Sequence, residues 1–181
     1  MALTDEKILE EYSQVLAEMA GHTDPILEKV EEYVRTFQMP DIQWKRQELR
    51  AEGGGLVGFI AGKHLEFMSF RHARMQDYYI HLTCQDFGDG MIVAWFLTCE
   101  PGFMKRQFAK FLSKQATEGA LTSPHALSAA LSIPNRLQLK GFATAVHSSV
   151  TQALKDVVEG AGKDPTVIKE TYTSKGFLEA W

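Results

Sequence analysis

The sequence predicts an α+β fold: an antiparallel meander sheet of five to six strands, preceded by a long or kinked N-terminal helix and followed by two main C-terminal helices packed on it. Three observations lead there. Apolar residues recur at three- and four-residue steps up to Phe37, the period falls to two between Pro40 and Cys99, and helical spacing returns after Pro101. With 181 residues, 45% hydrophobic and 23% charged, the chain is long enough and apolar enough to bury one core, so a single domain over 1–181 is expected.

In the helical N-terminal segment, 1–38, a first stripe is formed by Ile8, Leu9, Tyr12, Val15, Leu16 and Met19, and a second by Ile26, Leu27, Val30, Tyr33, Val34 and Phe37. Gly21 and Pro25 interrupt them, which reads as two helices or one helix kinked at Pro25. The sheet is expected over 42–99. Its first strand, 42–50, carries Lys45, Arg46, Glu48 and Arg50, charges that suit an edge. After Gly53–Gly54–Gly55, strand 56–61 is expected to pair with 64–71 across Gly62–Lys63. Strands 78–84 and 91–99 form a hairpin with its turn at Asp89–Gly90. Helices are expected within 101–160, over about 101–117 and 135–158, and Gly160–Ala161–Gly162 stops the second. The tail, 166–181, reads as a sixth strand or an arm.

Register reasoning then sorts the strand faces. Tyr78, Ile80, Leu82 and Cys84 form the core face of their strand, and Tyr79, His81 and Thr83 the reverse. Setting Leu65 opposite Leu82 and Phe67 opposite Ile80 places Glu66 beside His81 and His64 beside Thr83, with Thr98 next to His81 from the other side. The reverse face is then a polar centre of His64, Glu66, His81, Thr83 and Thr98, rimmed by Phe59, Met68, Tyr79 and Phe96. An apolar rim on that face implies a cover: a helix, a second subunit or a ligand.

A carboxylate beside an imidazole fixes its tautomer and raises its basicity, so Glu66 and His81 are the candidate acid/base pair, with His64, Tyr79, Thr83, Thr98, Phe59 and Phe96 as ligand-binding positions. Two histidines and one carboxylate would also suit a metal, although no motif fixes one. The plainer reading of Glu66 and His81 is a structural cross-strand pair.

The remaining signals exclude more than they assign. Residues 1–40 hold nine acidic against three basic side chains within a net charge of -4, so a basic nucleic-acid footprint is not expected. The start lacks the basic and apolar regions of a secretory signal and no run is long enough to span a membrane, which points to the cytoplasm. Cys84 and Cys99 are expected to be free thiols. No cofactor is indicated. The function that follows is a non-catalytic cytoplasmic binding or adaptor protein that self-associates through the half-apolar sheet face. The alternative is a small-molecule-binding protein or enzyme with a pocket on that face. The partners expected are a second copy, another protein or a small apolar ligand.

Overall fold

The period-two segment after Pro40 does form a sheet, and the first apolar stripe joins it. In the computed structural model, which describes residues 2–4, 8–37, 41–52, 64–100 and 131–172, the chain runs β1 (Ala2–Thr4), β2 (Ile8–Leu16), α1 (Thr23–Thr36), β3 (Ile42–Glu52), β4 (His64–His72), β5 (Met75–Phe87), β6 (Gly90–Cys99) and α2 (Ile133–Gly160). A 3₁₀ turn follows at Pro165–Val167. The six strands lie in the order β1-β3-β4-β5-β6-β2, with β2 to β6 joined by antiparallel pairings and β1 parallel to β3.

This architecture corrects the expected one. The described residues contain two helices, one before the sheet strands β3–β6 and one after, in place of a long N-terminal helix and two main C-terminal ones. The helix expected over 101–117, strand 56–61 and the tail beyond Tyr172 lie outside the described residues. On the side of β4 where 56–61 was expected, the neighbour is β3, from Ile42↔His72 to Arg50↔His64. Nor is the sheet a simple meander, because β2 comes early in sequence yet closes the far edge beside β6.

The helical look of 8–16 has a specific origin. Between Ile8↔Thr98 and Glu10↔Leu97 the register shifts, leaving Leu9 as the extra residue of a β-bulge. The extra residue shifts the alternation by one, so Leu9 shares the helix-side cluster with Tyr12 and Leu16, a three- and four-residue spacing that mimics a helical stripe, while Ile8 joins the other cluster. Further along, ordinary alternation holds: Leu16 is buried whereas Val15 is 65% exposed.

Helix α1 is the part of the N-terminal reading that stands. Pro25 sits in its first turn, and Ile26, Leu27, Val30 and Val34 form its buried stripe. Helix α2 buries Leu139, Phe142, Val146, Val150 and Leu154, and ends where Lys163 N–H bonds to Val158 O and Gly162 N–H to Glu159 O, with Gly162 at φ 75°. That is a Schellman stop, which needs a residue tolerant of positive φ. Both helices pack on one face of the sheet, against Met68 and Phe70 of β4, Ile80 and Leu82 of β5, and Trp95 and Leu97 of β6.

A buried polar clamp ties the segment after α2 to this core. The Trp95 indole N–H donates to His147 Nδ1 at 3.1 Å, and His147 Nε2 lies 2.8 Å from Glu170 O, so the neutral imidazole accepts at one nitrogen and donates at the other. Tyr172 packs edge-on against both rings. Tyr12 and Gln14 of β2 complete the anchorage: the Tyr12 hydroxyl donates to Lys169 O, the Gln14 amide donates to Val167 O, and Gln14 Oε1 accepts from Lys169 N–H.

Where β2 meets the β5–β6 turn, a Cβ on Gly90 would fall 2.7 Å from the carbonyl oxygen of Leu16, a backbone atom that cannot swing aside. Gly90→Ala should therefore destabilise the fold by about 1–3 kcal/mol. Gly141→Ala, in open space on α2, should stabilise it by about 1 kcal/mol. Urea unfolding of the two variants checks the opposite signs.

Candidate functional site

The second sheet face holds the site, and cross-strand rows build it. One row runs Lys45, Ser69, His81, Phe96 across β3, β4, β5 and β6; the next runs Gln43, Arg71, Tyr79, Thr98. Residues directly opposite one another share a face, so both rows lie on the side away from the helices. Most of this face is buried within a single chain: Phe67 and Phe96 are fully covered and His81 is 1% exposed. Leu49, Leu65, Phe67, Ala94, Phe96 and Ile8 form its apolar cluster.

The expected pairing of Glu66 with His81 does not occur. Strand β4 is slipped by three residues from the expected register, with Met68↔Leu82 and Ser69↔His81. An odd slip exchanges the faces of a strand. Glu66 therefore sits on the helix side, half-exposed, 3.8 Å from Arg46, which also contacts Asp24 and Glu31 of α1. Met68 joins the helix-side core and Phe67 the second face, the reverse of expectation. The physical reason is that both β4 faces carry large apolar side chains, so hydrophobicity does not select between them.

Other expected positions divide. His81, Thr83, Tyr79, Thr98 and Phe96 do share the second face. Strand β6 is displaced by two residues, because the tight turn is Gly88–Asp89, with Gly88 at φ 63°, and not Asp89–Gly90. An even displacement keeps the faces, so His81 meets Phe96 and Thr98 meets Tyr79. The Thr83 hydroxyl donates to Glu66 O and the Thr98 hydroxyl to Tyr79 O, roles internal to the sheet. His64 opens β4 opposite Arg50, and Phe59 lies outside the described residues. Among the described residues no group of three His, Cys, Asp or Glu is placed to hold a metal.

Ser69 is His81's true partner. Gln47 Nε2 donates to Ser69 Oγ at 2.7 Å, and the same Oγ hydrogen-bonds with His81 Nδ1 at 2.8 Å. His81, almost wholly buried, is neutral. Burial, reinforced by nearby Lys45, pushes its pKa down to about 4. Tyr79 stacks on the imidazole at 5.8 Å and 5°, and Phe67 meets it edge-on at 6.3 Å. A serine hydroxyl hydrogen-bonded to an imidazole resembles an activated nucleophile, but taking its proton would create a buried imidazolium beside a lysine. With its basicity this low, His81 fixes the orientation of Ser69 and makes a weak general base.

Above Ser69 lies a hollow of about 230 Å³ lined by Gln43, Trp44, Lys45, Ser69, Arg71 and Tyr79. The Arg71 guanidinium stands 5.6 Å over the Tyr79 ring and gives Nη2–H to Gln76 Oε1. Its Nε is buried and has no hydrogen-bond partner. Neither Lys45 nor Arg71 has a carboxylate partner among the described residues. The hollow therefore presents two positive charges and an unmatched donor. In the sequence Arg71 belongs to the basic run Arg71-His72-Ala73-Arg74, and Lys45 is one of the edge charges; only the correct register shows that they converge.

The two cysteines are buried free thiols, each pushed up to about 12 chiefly by burial, and so unreactive. Among the described residues no helix is long and apolar enough to cross a membrane. No family model matches the chain, and no curated protein or solved structure is similar to it.

Because His81 is held below its unfolded value of about 6.5, the unfolded chain binds the proton more readily, and folding stability must fall as pH drops. The stability is fully present above pH 6.5 and is lost between 6.5 and about 4, by about 3 kcal/mol at roughly 1.4 kcal/mol per pKa unit. His147 and His72, both lowered mainly by burial, act in the same direction. His81→Asn, which keeps a hydrogen-bonding amide toward Ser69, should remove the largest part of this pH dependence in urea titrations at pH 7.5 and 4.5.

Proposed function

We propose that this chain is a cytoplasmic, non-catalytic binding protein whose ligand is a small organic anion bearing a carboxylate or phosphate, held on the second sheet face over β3, β4 and β5. The observation that carries this reading is the convergence of Lys45 and Arg71 on one hollow, with Arg71 Nε buried and unbonded. A buried guanidinium donor without an acceptor costs free energy that an anionic oxygen would recover through a charge-assisted hydrogen bond. Lys45 Nζ and the Gln43 amide are further donors at the rim. Ser69 adds a hydroxyl that can meet a ligand hydroxyl or amide.

Binding is favoured over chemistry because the one imidazole nearby is buried, neutral and weakly basic. The earlier alternative of an acid/base pair required Glu66, which projects toward α1. A ligand on this face is also more economical than a second subunit there, since Phe96 is covered within one chain.

Isothermal titration with inorganic phosphate, acetate and citrate at matched chloride tests the reading. Saturable binding is expected for at least one of them. Lys45→Met, an exposed side chain with no bonded partner among the described residues, should weaken it about tenfold, equivalent to ~1.4 kcal/mol. Equal heats for the variant and the parent, or no binding by either at millimolar anion, would refute the assignment.

A further inference from the structure

We propose that β2 pairs antiparallel with the β2 of a second copy, joining two six-stranded sheets into one across a two-fold axis. Among the described residues, strand β2 ends the sheet beyond β6. The two-residue turn Gly88–Asp89 makes Phe87↔Gly90 a hydrogen-bonded pair, and the alternation of an antiparallel ladder then assigns every backbone group along β6. Met91, Val93 and Trp95 direct their amides and carbonyls toward β2, so Leu16, Gln14 and Tyr12 point back to β6. Ser13, Val15 and Ala17 consequently turn their backbone groups outward. The bond from Lys163 Nζ to Ala17 O, made from outside the sheet, agrees with this phase.

Natural edges are guarded by lysine, proline or bulges. The stretch Ser13-Gln14-Val15-Leu16-Ala17 has neither charge nor proline, and its bulge lies at the other end of the strand. Val15 is 65% exposed there, and a groove of about 680 Å³ runs alongside, between β2 and the Lys163–Lys169 segment, with room for an added strand.

The side chains favour a second copy as occupant. With Val15 opposite Val15 on the axis, Ser13 faces Ala17, Gln14 faces Leu16 and Tyr12 faces Glu18, so no like charges meet. Shifting the partner to set Val15 against Ser13 would oppose Glu10 to Glu18, which disfavours that register. In the favoured arrangement Ala17 O accepts from the partner's backbone, and Lys163 keeps its 2.8 Å contact with Glu18.

Sedimentation velocity from about 1 to 500 µM should show a concentration-dependent dimer. Val15→Lys should weaken dimerisation at least tenfold, while Val15→Thr, with circular dichroism as the folding control for both, should retain it. Val15→Cys should yield a covalent dimer with a short bis-maleimide, whereas the parent, whose two cysteines are buried, should not. A monomer throughout this range, an undiminished dimer in Val15→Lys, or binding of only unrelated peptides at this edge would overturn the proposal.

Discussion

The pairing of Ser69 with His81 across β4 and β5 is the constraint from which the character of the second sheet face follows. It fixes the phase of β4, and that phase decides which side chains look toward the helices and which look away. Met68 and Phe70 go to the helix-side core, Phe67 and Leu65 to the other cluster, and Arg71 arrives beside Tyr79. The chain Gln47 to Ser69 to His81 also satisfies a polar row inside an otherwise apolar layer, where unpaired groups would be expensive. Neutral imidazole is the form compatible with that setting, and it is the form in which Nδ1 can accept.

Much of this could be read from the residues, and the failures have definite causes. The alternation of Tyr78, Ile80, Leu82 and Cys84 identifies a half-core strand correctly because its other side carries His81 and Thr83. Strand β4 defeats the same method, since Leu65 and Phe67 on one side weigh as much as Met68 and Phe70 on the other. An error of two residues in β6 was harmless to the face assignment, whereas an error of three in β4 moved Glu66 through the sheet. The register of β4 is set by its neighbours, and β3 in that role was hidden by its polar composition, which read as an unpaired margin.

The N-terminal stripe misleads for a different reason. A bulge at Leu9 shifts the alternation, so that Leu9, Tyr12 and Leu16 fall on one face of a strand with the three-and-four spacing of a helix. Helix α1 has no such ambiguity: proline in the first turn and four buried residues on one side leave a single reading. The cation-lined hollow was out of reach without register, because Lys45 and Arg71 come from strands whose adjacency the sequence does not announce.

The place of β2 bears on how the chain assembles. Tyr12 pairs with Trp95, so this strand must wait for the last strand of the sheet, while β3 to β6 pair with one another in sequence order. Local hairpins close quickly and distant ends slowly, because loop closure consumes chain entropy before any contact rewards it. During synthesis the early strand therefore emerges without its partner and is added after the four central strands have zipped together. The final, rate-setting event in building this sheet is expected to be the docking of its first long strand.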